Sequence, residues 1–111
     1  MSDGFQIDID KAMAALPSPP DEQYMIVYRH GTLEAGIYAP RGADAQSPHA
    51  RDEVYVVVQG RGVFICGTTR KPFTPGELLF VPAGTIHCFE DFTDDLTVWV
   101  MFYGPPGGED P

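Results

Sequence analysis

Short runs of β-branched and aromatic residues recur along this chain about every eight to twelve residues, with turn residues between them. That spacing confines the chain to an antiparallel sandwich or barrel, an all-β class. The runs are Tyr24 to His30, Leu33 to Ala39, Val54 to Gln59, Val63 to Cys66, Leu78 to Val81, Ile86 to Phe89 and Leu96 to Tyr103. Gly31-Thr32, Gly60-Arg61-Gly62 and Pro75-Gly76 read as turns, and Gly67 to Lys71 as a hairpin tip. A loop rich in Pro, Gly and Asp, Pro40 to Pro48, leads to His49. Before the strands, Phe5 to Leu16 reads as a short extended start and then a helix, with Asp8 or Asp10 as its cap. The Pro-Ser-Pro-Pro that follows ends the helix, because proline lacks a donor and restricts its predecessor.

No internal repeat is present, so 111 residues give one barrel domain over residues 1–103. The tail, residues 104–111, carries no core-forming side chain and is expected to be flexible or loosely attached. Two strands are apolar on both faces. Glu53, Tyr55, Val57 and Gln59 alternate with Val54, Val56 and Val58; Val98, Val100 and Phe102 alternate with Trp99, Met101 and Tyr103. A small barrel fills its interior with one face only. The second face needs a cover, and a homodimer is expected.

Charge narrows the partners. Sixteen Asp and Glu against seven Lys and Arg give a formal net charge of −9. There is no basic stripe, so neither nucleic acid nor an anionic membrane surface is an expected partner. No apolar run approaches the ~20 residues that span a bilayer. The opening MSDGFQIDID lacks a basic n-region, and the expected compartment is the cytoplasm. Cys66 and Cys88 are the only cysteines, with no CxxC spacing; they are expected reduced, as small apolar residues.

The chemistry gathers in two stretches, Ser47 to Gly60 and Gly76 to His87. His49 and Glu53 stand four positions apart, an even spacing that puts both on one face of a strand. His87 follows a Pro-Ala-Gly turn that presents it at a strand mouth. Two imidazoles and one carboxylate are ligands for zinc or non-haem iron, and three protein ligands leave positions open for water or substrate.

These two stretches resemble the paired motifs of the cupin superfamily. In the first, His49, Glu53 and Gly60 stand at the second His, the Glu and the Gly of the family pattern. In the second, Gly76, Pro82, Gly84 and His87 match in register. Two departures stand out: Ser47 replaces the first His of the His-x-His pair, and Asp91 replaces the terminal Asn. The resemblance implies a double-stranded β-helix, or jelly-roll, barrel of antiparallel strands with a divalent metal near its centre: zinc, iron, manganese or nickel. His49, Glu53 and His87 would hold it, and Gln46 through its carbonyl, Ser47 through its hydroxyl, or water would take the fourth place. Tyr55, Val57, Phe80, Phe89, Trp99, Met101 and Phe102 are expected in the core or the pocket wall. Asp91 is either a partner that orients a ligand or a solvated turn residue, and Asp52 is expected to face outward. His30 lies in a strand remote from both motifs.

The expected function is to bind or act on a small organic molecule in the barrel. Dioxygenase, isomerase, decarboxylase and cyclase activities all occur in the family, as fold alone does not choose among them. A non-catalytic binding or sensing module is the alternative.

Overall fold

The computed structural model describes residues 4–16, 23–44 and 46–111. Among these, the chain forms one helix and eight strands. They are α1 (Ile9–Ala14), β1 (Tyr24–His30), β2 (Leu33–Tyr38), β3 (Asp52–Gln59), β4 (Gly62–Cys66), β5 (Thr69–Phe73), β6 (Leu78–Val81), β7 (His87–Glu90) and β8 (Thr97–Tyr103). Among the described residues, no helix is long and apolar enough to cross a membrane. Asp8 caps α1, its carboxylate accepting the Lys11 N–H at 2.8 Å. The prolines expected to stop this helix lie outside the described residues.

Every strand pair is antiparallel. One sheet has five strands in the order β1-β2-β8-β3-β6, and the other has three in the order β5-β4-β7. This is the expected all-β jelly-roll arrangement. One strand was not expected. Residues 69–73 pair along β4, with Phe73 opposite Gly62, rather than forming only a hairpin tip and a turn. Pro72 is tolerated there because β5 is a sheet edge, where a missing N–H breaks no second ladder.

Residues directly paired across a ladder share a face. Glu53 pairs with Phe102, Tyr55 with Val100 and Val57 with Val98, and this face looks into the barrel. The core between the sheets is built on it: Tyr55, Val57, Val98 and Val100 from the large sheet meet Phe64, Phe73 and Phe89 from the small one. Phe89 joins the layers, with ring centroids 5.0 Å from Tyr55, 5.1 Å from Phe64 and 5.4 Å from Phe73. The other face of the large sheet points out. It carries Trp99 and Met101, both half-buried, and Phe80, which is 46 % exposed. These three were expected in the core or pocket wall; strand alternation puts them on the opposite side from Glu53.

One further expectation is corrected. Asp52 is not a surface group. It is only 5 % exposed, with Oδ1 accepting the Ala83 N–H at 3.0 Å and Oδ2 the Glu109 N–H at 2.8 Å. Those two bonds stabilise its charged form and hold its pKa below the ordinary value. Within the last eight residues, besides Glu109, Gly107 donates to the Ala50 carbonyl at 2.7 Å. Backbone hydrogen bonds, not apolar side chains, attach this segment, so hydropathy carried no sign of it.

Candidate metal centre

The site lies where the two motifs meet at one end of the barrel. Glu53 is the second residue of β3, His49 ends the loop before it, and His87 opens β7. Two contacts fix these segments to each other, and a third closes the turn between Pro82 and Thr85. Gly84 donates to the His49 carbonyl at 2.7 Å, Ala83 donates to Asp52, and Thr85 donates to the Pro82 carbonyl at 3.2 Å. The Pro82–Thr85 turn is thus tied to the β3 approach on one side and leads into His87 on the other.

One ligand atom from each of His49, Glu53 and His87 falls within 4.8 Å of the other two. Glu53 Oε1 is 3.1 Å from His87 Nε2 and 3.9 Å from His49 Nε2. Glu53 and His87 are buried, while His49 is half-buried at the rim. His87 Nδ1 lies 2.9 Å from the Thr85 carbonyl, which accepts its N–H and leaves Nε2 turned to the site. Glu53 Oε1 and His87 Nε2 are both buried and, despite their closeness, neither has an aligned hydrogen-bond partner. Buried polar atoms are normally satisfied, and two unsatisfied donors of electron pairs side by side fit a cation between them. The three side chains form a group able to hold a metal ion.

Protonation agrees with this. Burial holds His49 below its ordinary pKa, more than the Glu53 carboxylate offsets, so its imidazole is a neutral ligand. Burial also pulls His87 down, but the Glu53 carboxylate and the Thr85 carbonyl outweigh it and leave His87 above its ordinary value. A cation beside Glu53 would take the place of that proton.

The fourth position separates the sequence candidates. Ser47 is exposed. Gln46 is turned inward, with Oε1 3.3 Å from His49 Nε2 and 2.9 Å from the Tyr55 hydroxyl, which donates to it. Its amide nitrogen donates to Asp44 Oδ2 at 2.8 Å, which sets the carboxamide with its oxygen toward the histidines. Asp44 is held in turn by the Phe89 N–H at 2.8 Å and by the Tyr38 hydroxyl. Burial first, and then the Asp44 contact, push the Tyr38 hydroxyl upward; burial does the same to Tyr55. Both stay protonated and donate. Sequence reasoning missed Asp44 and Tyr38, and gave Tyr55 only a wall role. The one available signal was an Asp two positions before Gln46 in a loop that otherwise reads as a simple connection.

The remaining candidates lie elsewhere. Asp91 is exposed with φ of 51° and pairs with Arg70 at 3.4 Å, as a turn residue. His30 is exposed at the end of β1. Cys66 sits opposite His87 in the β4–β7 ladder and packs against the core, whereas Cys88 alternates to the other face. Both thiols are free.

Known proteins place this architecture. Residues 36–103 match the cupin domain family. The uncharacterized protein SCO3923 of Streptomyces coelicolor is 38 % identical over 87 residues, which span 77 % of this chain and 83 % of that protein. The structure is similar to that of the protein TT1209 from Thermus thermophilus, with a TM-score of 0.71, 24 % identity, and 92 % and 100 % of the two chains covered. It is also similar to a cupin-2 domain containing protein from Shewanella frigidimarina, with a TM-score of 0.69, 15 % identity, and 90 % and 93 % covered. The two motifs, the double-sheet barrel and the family match over residues 36–103 agree: the chain belongs to the cupin domain family.

Proposed function

We propose that the protein binds one divalent metal ion (zinc, iron, manganese or nickel) through His49, Glu53 and His87, with the Gln46 carboxamide oxygen as fourth donor, and acts there on a small oxygen-bearing organic molecule. The observation that carries this reading is the pair of buried, unsatisfied atoms Glu53 Oε1 and His87 Nε2 beside the His49 imidazole. Two imidazoles, one carboxylate and one carbonyl suit borderline metals, and they leave coordination positions open. When bound, the ion supplies Lewis acidity toward an oxygen of the ligand.

The chain's own groups do the rest. The Thr85 carbonyl fixes the His87 tautomer. Tyr55 and Asp44 fix the direction of the Gln46 carbonyl. Phe102 packs edge-on to His49, with ring centroids 5.0 Å apart. Asp44 is fully engaged by donors and stands as a positioning residue.

Elemental analysis by plasma mass spectrometry tests the reading. The expected result is near-stoichiometric metal in the native protein and little in His49→Ala or His87→Ala, with the β-sheet circular dichroism retained in both. No metal after reconstitution with each of the four ions overturns the proposal. Metal at equal levels in the native chain and both variants places the ion elsewhere and overturns it too.

A further inference from the structure

A cavity of about 300 Å³ opens beside the centre, lined by Tyr24, Glu34, His49, Ala50, Arg51 and Phe102. It lies on the inner face of the large sheet. Glu34 pairs with Phe102, which pairs with Glu53, so these three side chains share the face that carries the centre. His49 belongs to both places, as a member of the metal group and as a wall of the cavity. A molecule in the cavity is therefore in contact with the candidate ligands.

The charged side chains that line this cavity are Arg51 and Glu34, with Glu53 on the same face. Arg51 donates to Glu34 Oε1 and to the Thr32 carbonyl, and Arg29 donates to Glu34 Oε2 at 3.0 Å. Arg51, in the cavity wall, and the more exposed Arg29 thus share one carboxylate. Arg51 is half-buried, and its guanidinium has five N–H donors, of which the Thr32 and Glu34 contacts occupy two. The planar fork suits a carboxylate. Across the cavity, burial and then Glu34 push the Tyr24 hydroxyl up to about 12, so it remains a neutral donor.

We propose that this cavity selects small organic anions: Arg51 takes a carboxylate of the ligand, Tyr24 donates a hydrogen bond to it, and the ligand's other polar end reaches the centre at His49. Glu34 is the competing carboxylate that holds Arg51 in place when no ligand is present. This inference rests on the metal-dependent reading and names its substrate class.

The test is calorimetric titration of the metal-reconstituted full chain with straight-chain dicarboxylates from oxalate to adipate, beside the matching uncharged diamides. At least one dicarboxylate is expected to bind about tenfold or more tightly than its diamide, the scale of one charged hydrogen-bonded contact. Arg51→Gln should lose about tenfold in dicarboxylate affinity. Glu34→Gln should gain affinity, because the competing charge is gone while an amide oxygen still accepts from Arg51. A role of this pair in folding alone would make both variants weaker. The inference is overturned if no dicarboxylate outbinds its diamide, if Arg51→Gln binds as the native chain does, or if Glu34→Gln weakens binding. Metal content measured on the same samples separates the two readings: metal retained without anion selectivity overturns this inference alone. A chain that takes no metal overturns the reading above, and the comparison of dicarboxylate with diamide on it still decides this one.

Discussion

At the residue scale, the centre depends on atoms that the ligands do not themselves supply. Asp44 receives three donors, from Tyr38, Gln46 and the Phe89 backbone, and so holds the Gln46 oxygen toward the histidines. In Asp44→Asn an amide nitrogen would replace one acceptor and oppose a donor. Metal affinity should fall by about 10- to 100-fold, the usual cost of losing an outer hydrogen-bonding partner, measured by competition with a chelating dye. Unchanged affinity would separate Gln46 from the centre. Acidity acts on the ligands themselves, since an imidazole must be neutral to bind metal and a free His titrates near pH ~6.5. His87 lies above its ordinary pKa and His49 below it. As pH falls, protons therefore compete first for His87, and only at lower pH for His49. Metal occupancy should fall on acidification through that region, as read by elemental analysis after equilibration. Constant occupancy down to pH ~4 would contradict His ligation.

At the element scale, the two motif-bearing segments are positioned by the turns between strands. Gly60 closes β3 with φ of 98°, in the left-handed region. A Cβ there would lie 2.6 Å from the Leu96 Cα, so the close approach of the β3 exit to the β8 entrance needs a glycine as well as its φ. Gly60→Ala should destabilise the fold by about 1–3 kcal/mol from backbone conformation alone, with the contact adding to it. Urea denaturation monitored by Trp99 fluorescence measures this. A midpoint equal to the native one would show that the turn relaxes without cost. The Gly and the His–Glu spacing were both legible in the sequence because each is local: one reports backbone conformation and the other strand alternation.

At the scale of the whole molecule, the outer face of the large sheet is uncovered at the β6 edge. Leu78 is 66 % exposed and Phe80 46 % exposed. They pair with Val56 and Val54, which pair with Trp99 and Met101 in β8, so six apolar side chains adjoin with no charge among them. A second copy is the expected cover, since the same apolar face on both partners would meet with no charged group at its centre. An exposed edge strand also offers unpaired backbone groups. Light scattering after size exclusion should give a dimer mass at micromolar concentration, and Leu78→Glu should shift it to the monomer. A clean monomer for the native chain overturns the expectation.

The sequence by itself determined the barrel class, the family, and the trio His49, Glu53 and His87. Strand period, turn residues and motif register are local properties, and they survive translation into three dimensions unchanged. The tertiary structure alone decided the rest. Gln46 rather than Ser47 turns to the centre because Asp44 and the Tyr55 hydroxyl meet it, and the Phe89 backbone holds Asp44 in place. Arg51 meets Glu34 because β2 and β8 lie side by side and β8 borders β3, an order that no spacing in the chain encodes. Asp52 is buried because a tail without apolar side chains returns over it by backbone hydrogen bonds. These are contacts between groups far apart in sequence, and their partners become neighbours only when the sheets form.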